Sequence, residues 1–201
     1  MEINTGAVSK PLIKVAAICG SIRKDSIHGG LIRSAIQICQ EQSVPGMEIE
    51  YLDIKSLPFL NTDLEVDCTY PAAVTAFRKK IDDADAILFS SPEYNFSVTA
   101  PLKNAIDWGS RPPNVWADKA AAVMSAGGDF GGGRAQYDLR KIGVFVDLHF
   151  INKPQLCIQA YTPPTKFDGE GNLIDPVTKD KLRLLLLALQ SFSLRMKGVS
   201  I

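Results

Sequence analysis

The stretch CGSIRKDS, residues 19–26, combines residue types that can hold a phosphate group. It offers a small residue for a close backbone turn, hydroxyl donors and positive charge, in Gly20, Ser21, Arg23, Lys24 and Ser26. A helix that starts directly after the stretch would also point free backbone N–H groups at an anion. We interpret the loop as a cradle for one phosphate group, and a plain polar turn is the alternative.

Two other phosphate-binding loops fit this stretch less well. In a phosphatase loop, five residues separate the cysteine from an arginine. Counted from Cys19, the position for that arginine is Asp25, and Arg23 comes too early. A dinucleotide fingerprint, G-x-G-x-x-G, would need three glycines, and only Gly20 is present. The phosphatase interpretation is therefore discarded and the dinucleotide interpretation is weak.

Two later loops could hold a flat ring. PEYNFS, residues 92–97, places an acid, two aromatic rings and an amide in sequence, which can offer a stacking surface and hydrogen-bond donors. Five glycines within residues 127–133 would let the backbone approach a ligand ring closely. Taken alone, each could equally be a surface turn, and their combination favours a binding site.

The loops contain no acid–base machinery that could act alone. His28 and His149 are the only histidines, and neither follows the pattern of a nucleophile with a base and an orienting acid. No cluster has the spacing of metal ligands, and we interpret His149 as a structural residue. A phosphate loop with a platform for a flat ring predicts that a bound cofactor, flavin mononucleotide (FMN), performs the chemistry.

Apolar segments alternate with amphipathic segments along the chain, which predicts strands alternating with helices. The predicted strands are residues 12–19, 47–53, 86–91, 120–126 and 154–159. The predicted helices are residues 27–40, 71–82, 101–109, 133–146 and 176–196, the last with Asp175 as its cap and Pro176 at its first position.

Five strands joined by helices predict a parallel sheet covered on both faces, because parallel strands need crossover connections. Ligands of such α/β sandwiches bind beyond the carboxyl ends of the strands, where the winding changes direction. The three loops follow predicted strands one, three and four, so we expect them to meet at that edge. The length suits a single domain, residues 12–198, after a flexible segment of residues 1–11.

Composition disfavours several other classes of protein. The 201 residues include 22 basic and 22 acidic side chains, so no overall field attracts nucleic acid or an anionic membrane. The absence of C-x-x-C pairs fits reduced thiols at Cys19, Cys39, Cys68 and Cys157. The polar first ten residues do not resemble a signal peptide, and no apolar run approaches the roughly 18 residues of a membrane helix. We expect a cytoplasmic protein without stable membrane insertion.

GSIRKDS, SPEYNFSVTAPLKNAIDW and SAGGDFGGGRAQYDLR resemble the cofactor loops of the NADPH-dependent FMN reductase family. Within that family NVWADK, residues 114–119, and FVDLHFINKP, residues 145–154, are most similar to plant-type NADPH:quinone oxidoreductases. The resemblance implies a flavodoxin-like three-layer α/β sandwich with a five-stranded parallel sheet in the order 2-1-3-4-5.

The resemblance also implies the residues that meet FMN. Around the phosphate it places Gly20, Ser21, Arg23, Ser26 and His28. Beside the isoalloxazine ring it places Pro92, Glu93, Tyr94, Asn95 and Phe96, and on the other side of the ring Ser125, Gly127 and Gly128.

Family members form dimers or tetramers, which implies a homodimer or homotetramer here. The helices after PEYN and GGG usually build the interface, so Arg134 and Tyr137 are candidates for that contact. Gln155 stands where relatives often have an acid, and this difference puts a charged tetramer contact through Arg134 in doubt.

The implied activity is FMN-dependent NAD(P)H:quinone oxidoreduction by a two-electron ping-pong cycle, with NADPH, or alternatively NADH, as the donor. Arg23, Lys24 and Arg111 are candidates for meeting the 2′-phosphate of NADPH. One alternative is a broader flavin, azo-dye or metal-ion reductase. Another is a non-enzymatic carrier of the flavodoxin type, although such carriers tend to be acidic and this chain is neutral.

Overall fold

A computed structural model describes residues 11–67 and 69–199. Most of the predicted flexible segment, residues 1–10, and the predicted reduced thiol Cys68 lie outside the described residues. The strands are β1 (Ile13–Cys19), β2 (Met47–Leu52), β3 (Ala86–Ser90), β4 (Lys119–Gly127), β5 (Leu148–Phe150) and β6 (Leu156–Gln159). The helices are α1 (Ile27–Gln40), α2 (Ala72–Asp82), α3 (Ala100–Ser110), α4 (Gly133–Val146) and α5 (Pro176–Met196), with a short 3-10 helix at Thr62–Leu64.

The strands form one parallel sheet in the order β2-β1-β3-β4-β5, which confirms the predicted flavodoxin-like order. The fifth position differs in detail because two short strands share it. β5 pairs with the start of β4, at Lys119–Ala121, and β6 pairs with its end, at Met124–Gly127. Only β6 was predicted, since the three residues of β5 are too few to show a periodic pattern.

Alternate residues of the central strands point to two separate cores. On one face of the sheet Val15 and Ala17 of β1 belong to the cluster that contains the apolar sides of α1 and α5. On the other face Ala16 and Ile18 belong to the cluster that contains α2, α3 and α4. Both cores are therefore buried beneath helices, and the sandwich has three layers.

Side-chain caps fix where the helices begin. Ser26 accepts the backbone N–H of His28 at the start of α1, and Thr99 accepts that of Leu102 in α3. Asp175 accepts the N–H of Thr178, as predicted for α5. Within the described residues, no helix combines the length and the apolar character needed to cross a lipid bilayer.

Candidate functional site

The loops that follow β1, β3 and β4 converge on a pocket of about 600 Å³ at the carboxyl edge of the sheet. Nine of the thirteen residues predicted to meet the cofactor line it: Ser21, Arg23, Ser26, His28, Pro92, Glu93, Tyr94, Gly127 and Gly128. The other four, Gly20, Asn95, Phe96 and Ser125, lie outside the lining. The position of the pocket agrees with the expectation that ligands bind at the point where the winding changes direction.

The phosphate loop, residues 20–26, is held in a compact form by its own contacts. Arg23 Nη2 donates to the carbonyl oxygen of Asp25 at 2.6 Å. Within the described residues, the backbone N–H groups of Ile22, Lys24 and Asp25 donate to no protein acceptor. Free N–H groups and a guanidinium at the start of α1 are the donors that a phosphate monoester requires.

Gly20 lies at a tightly packed junction. A Cβ at Gly20 would lie 3.1 Å from Ser91 Oγ and 3.2 Å from Thr99 Oγ1. Thr99 Oγ1 also donates to the carbonyl oxygen of Gly20 at 2.5 Å. Gly20 thus joins the phosphate loop to the start of α3. It supports the pocket without being part of its lining.

A segment far along the chain supports the phosphate loop from outside. Residues 166–174, which we call the 166–174 hairpin, close on themselves through a bridge between Phe167 and Leu173. Arg33 of α1 donates to Asn172 Oδ1 at 2.6 Å and 2.9 Å. Gly171 packs so tightly that a Cβ at Gly30 of α1 would lie 1.7 Å from its oxygen. The only sequence signals for this hairpin are its glycines, and they do not show what it packs against.

The loop after β3 turns sharply beside the pocket. Tyr94 and Ser97 exchange backbone hydrogen bonds of 3.0 Å, and Asn95 and Phe96 between them have positive φ angles of 50° and 67°. These values match a tight type I′ turn, which asparagine tolerates better than phenylalanine. The turn directs Tyr94 to the pocket and leaves Asn95 outside its lining.

Glu93 connects this loop to α4. Its Oε2 accepts the backbone N–H of Arg134 at 2.9 Å, and Oε1 lies 3.2 Å from Arg134 Nη1. The helix has Gly132 at its N-cap, which offers no side-chain acceptor, so the carboxylate of Glu93 supplies the missing cap from another loop. Sequence reasoning placed Glu93 beside the ring and missed this second role.

Arg134 lies in the pocket lining between two aromatic rings. Its guanidinium carbon is 4.1 Å from the centre of the Phe96 ring and 3.8 Å from that of Phe130. Cation–π contacts of this kind stabilise by about 0.5–2 kcal/mol. The residue was predicted as an oligomer contact, and within one chain it links the loop after β3 to the glycine-rich loop.

Ser125 lies beneath the glycine-rich loop, residues 127–133. Its Oγ donates to the carbonyl oxygen of Gly131 at 2.6 Å and accepts from Gln136 Nε2 at 2.8 Å. The Gln136 amide also donates to the carbonyl oxygen of Leu156 at 2.9 Å. Ser125 therefore shapes the loop from below. Gln136 is a supporting residue that no sequence pattern indicated.

His28 and His149 have different surroundings. Burial lowers the pKa of His28 to about 4, and the positive charge of Arg23 acts in the same direction, so its imidazole is neutral near pH 7. His149 lies at the other end of the sheet, where its Nε2 is 3.4 Å from Asp118 Oδ1 and 3.8 Å from Asp147 Oδ1. This grouping of two carboxylates and a histidine is not visible as a spacing in the sequence.

The surroundings of the described cysteines disfavour a role as nucleophiles at the pocket. Burial raises the pKa of the Cys19, Cys39 and Cys157 thiols above the ordinary value, that of Cys39 to about 11. A raised pKa keeps a thiol protonated and poorly nucleophilic at neutral pH. None of the three lines the pocket.

The residues present fit FMN. The phosphate loop offers N–H donors and Arg23 for a phosphate, and residues of the loop after β3 and of the glycine-rich loop line the rest of the pocket. A Cβ added at Gly128 would meet no atom within 4 Å, so the pocket is open where the glycine leaves out a side chain. Three exposed aromatic residues, Tyr94, Phe130 and Tyr161, line the mouth, where flat molecules can stack.

Comparison with known proteins gives consistent matches over nearly the whole chain. The profile of the NADPH-dependent FMN reductase family matches residues 13–163. A curated NADPH:quinone oxidoreductase of Arabidopsis thaliana is 66% identical over 94% of this chain and 96% of its own. An NAD(P)H-dependent FMN reductase of Pseudomonas aeruginosa is 42% identical over 92% of this chain and 98% of its own. Among solved structures, the flavoenzyme NAD(P)H:(acceptor) oxidoreductase FerB of Paracoccus denitrificans superimposes with a TM-score of 0.78, at 31% identity, over 92% of this chain and 99% of its own.

Proposed function

Because the chain belongs to the NADPH-dependent FMN reductase family, we propose that it is an FMN-dependent NAD(P)H:quinone oxidoreductase that reduces quinones to hydroquinones. The observation that carries the choice of acceptor is the 66% identity to a quinone oxidoreductase over nearly the full length of both chains. NADPH is the expected donor, and NADH is the alternative.

FMN bound in this pocket would supply the redox chemistry, which is hydride transfer from the nicotinamide to the acceptor. Arg23 and the phosphate loop at the start of α1 would hold the phosphate, and the lining residues of the loops after β3 and β4 would hold the ring. Tyr94 and Tyr161, which are 57% and 81% exposed, stand at the mouth and can guide a flat donor or acceptor on to the ring. Water reaches this open mouth and can supply the proton that completes a hydroquinone.

The pocket geometry supports a ping-pong order. Residues of the phosphate loop, the loop after β3 and the glycine-rich loop line the pocket, and its lining includes the exposed aromatic residues Tyr94, Phe130 and Tyr161. Donor and acceptor that stack on one ring face have to bind in turn, so initial rates against NADPH at several fixed quinone concentrations should give parallel double-reciprocal lines. Intersecting lines would require a ternary complex and would contradict a shared face.

The second candidate is a reductase with broader acceptor use, such as flavin, azo dye or metal ion. The match to an FMN reductase of Pseudomonas aeruginosa favours keeping this candidate. Measured kcat/KM for benzoquinone, free FMN, an azo dye and ferric citrate separates the two. We expect kcat/KM for the quinone to exceed the other values by at least about tenfold, and equal values would favour the broader reductase over the quinone reductase.

An electron carrier without catalysis is disfavoured because the matching relatives are enzymes.

A homodimer or homotetramer is the proposed assembly. Tyr137, Val144 and Phe145 form an exposed apolar strip on α4, which supports an interface on this helix. Light scattering of the purified protein would give the number of chains.

The free thiols of Cys19, Cys39 and Cys157 support a reducing compartment, and we propose the cytoplasm, which imaging of a tagged chain would check.

A further inference from the structure

Strand β4 extends beyond β3 on the side of the pocket. The last paired residues of these strands are Ser90 and Met124, whereas β4 continues to Gly127. Ala126 keeps its partner on the other edge, where it is in register with Ile158 of β6. Ala126 is buried, so its backbone groups on the β3 side need a partner other than water.

The imidazole of His28 occupies the place of the missing strand. Its Nε2 lies 3.1 Å from the carbonyl oxygen of Ala126 and 3.2 Å from its backbone nitrogen. Nε2 carries at most one hydrogen, so it serves one of these groups at a time. With the proton on Nδ1, Nε2 accepts the N–H of Ala126 as a carbonyl of β3 would.

This contact joins two walls of the pocket. His28 is the second residue of α1, and its backbone N–H donates to Ser26 Oγ at the end of the phosphate loop. Ala126 directly precedes Gly127, where the glycine-rich loop begins. The distance between the two walls therefore depends on where the ring of His28 rests.

We propose that His28 is a positioning residue for FMN. Its imidazole replaces β3 beside Ala126 and holds the phosphate loop and the glycine-rich loop at a fixed separation. This inference rests on the FMN dependence of the family. It differs from the phosphate contact that the resemblance implied, because a phosphate contact affects one end of the cofactor and a fixed separation affects the whole flavin.

Riboflavin, which lacks the phosphate, distinguishes these two roles. The affinities of the flavin-free protein for FMN and for riboflavin would be measured by quenching of flavin fluorescence. His28→Leu removes the acceptor at similar size, and His28→Asn retains an amide oxygen that can accept the N–H of Ala126. Arg23→Gln is the matched control, because Arg23 lies in the phosphate loop.

We expect His28→Leu to weaken FMN and riboflavin binding by a similar factor, about tenfold, because the loss of a buried hydrogen bond alters the separation of both walls. His28→Asn should restore both affinities to within about threefold of wild type, and Arg23→Gln should weaken FMN binding alone. A His28→Leu effect confined to FMN would assign His28 to the phosphate and overturn the proposal, as would no effect on either ligand.

Hydrogen exchange tests the contact without any variant. With Nε2 as the acceptor, the amide of Ala126 in the wild-type protein should exchange as slowly as that of Ala122 in the middle of β4. Fast exchange at Ala126 would overturn the acceptor role of His28, on which the His28→Asn rescue depends, even if His28→Leu failed to fold. Failure of wild type to bind FMN would overturn the cofactor assignment together with the proposal. Equal flavin affinities of wild type and both His28 variants would overturn the positioning role alone.

Discussion

Glycines in the loop after β4 have two different roles at the residue scale. Gly132 has a φ of 80°, and a Cβ there would lie 2.7 Å from Ser125 Cβ, whereas a Cβ at Gly128 would meet no atom within 4 Å. Gly132→Ala should lower the free energy of unfolding by about 2–4 kcal/mol through backbone strain and overlap. Gly128→Ala should leave stability within about 0.5 kcal/mol of wild type and weaken FMN binding.

Urea unfolding and flavin quenching of the same two variants check this division. Equal stability losses for Gly132→Ala and Gly128→Ala would show that the loop does not have the conformation described.

The buried imidazole of His28 predicts a pH dependence of stability. Burial lowers its pKa in the folded chain to about 4 from an ordinary value of 6.5, so the unfolded chain binds the proton more readily between these values. The free energy of unfolding should therefore fall as the pH decreases through this window, by about 2 kcal/mol between pH 7 and pH 5. His28→Asn, which does not titrate, should lack this component when both proteins are unfolded in urea at the two pH values. Identical losses in wild type and variant would contradict a buried, neutral His28.

At the scale of elements, the 166–174 hairpin should stabilise the phosphate loop through α1. A Cβ at Gly30 would lie 1.7 Å from the oxygen of Gly171, whereas a Cβ at Gly29 has only the flexible Arg33 side chain at 3.5 Å. Gly30→Ala should cost about 3 kcal/mol or more, since backbone must move, and should also weaken FMN binding. Gly29→Ala, one position away in the same helix, should be neutral or stabilise by about 0.5–1 kcal/mol.

Thermal unfolding and flavin titration of the pair measure both effects. A Gly30→Ala protein as stable as Gly29→Ala would show that the hairpin does not press on α1.

Sequence periodicity predicted the elements better than it predicted their contacts. The alternation of apolar strands and amphipathic helices was enough to indicate the parallel sheet and the meeting of three loops at one edge. β5 was missed because three residues carry no period. The burial of Ser125 and the capping of α4 by Glu93 depend on tertiary packing between distant loops, which local pattern does not encode.

At the scale of the whole molecule, we propose that residues 12–198 form one cooperative domain. One sheet separates the two cores, and the central strands contribute side chains to both. Loss of one core would expose the other face of the same strands, so both cores should unfold together. Trp116 belongs to the core covered by α2, α3 and α4, and Trp108 is a buried residue of α3 itself. Circular dichroism reports helices on both faces. Coincident transitions by tryptophan fluorescence and circular dichroism are expected, and separate midpoints would indicate two units.

The central claim, that this chain uses bound FMN to move electrons from NADPH to a quinone, is tested most directly by an anaerobic titration of the purified, flavin-loaded protein. We predict that NADPH bleaches the yellow absorbance and that benzoquinone then restores it, with one hydroquinone formed for each NADPH consumed. This order of reduction and reoxidation follows from a pocket lined by the phosphate loop, the glycine-rich loop and the exposed aromatics at the mouth. A protein that holds no FMN, or whose bleached flavin is not reoxidised by the quinone, would contradict the account.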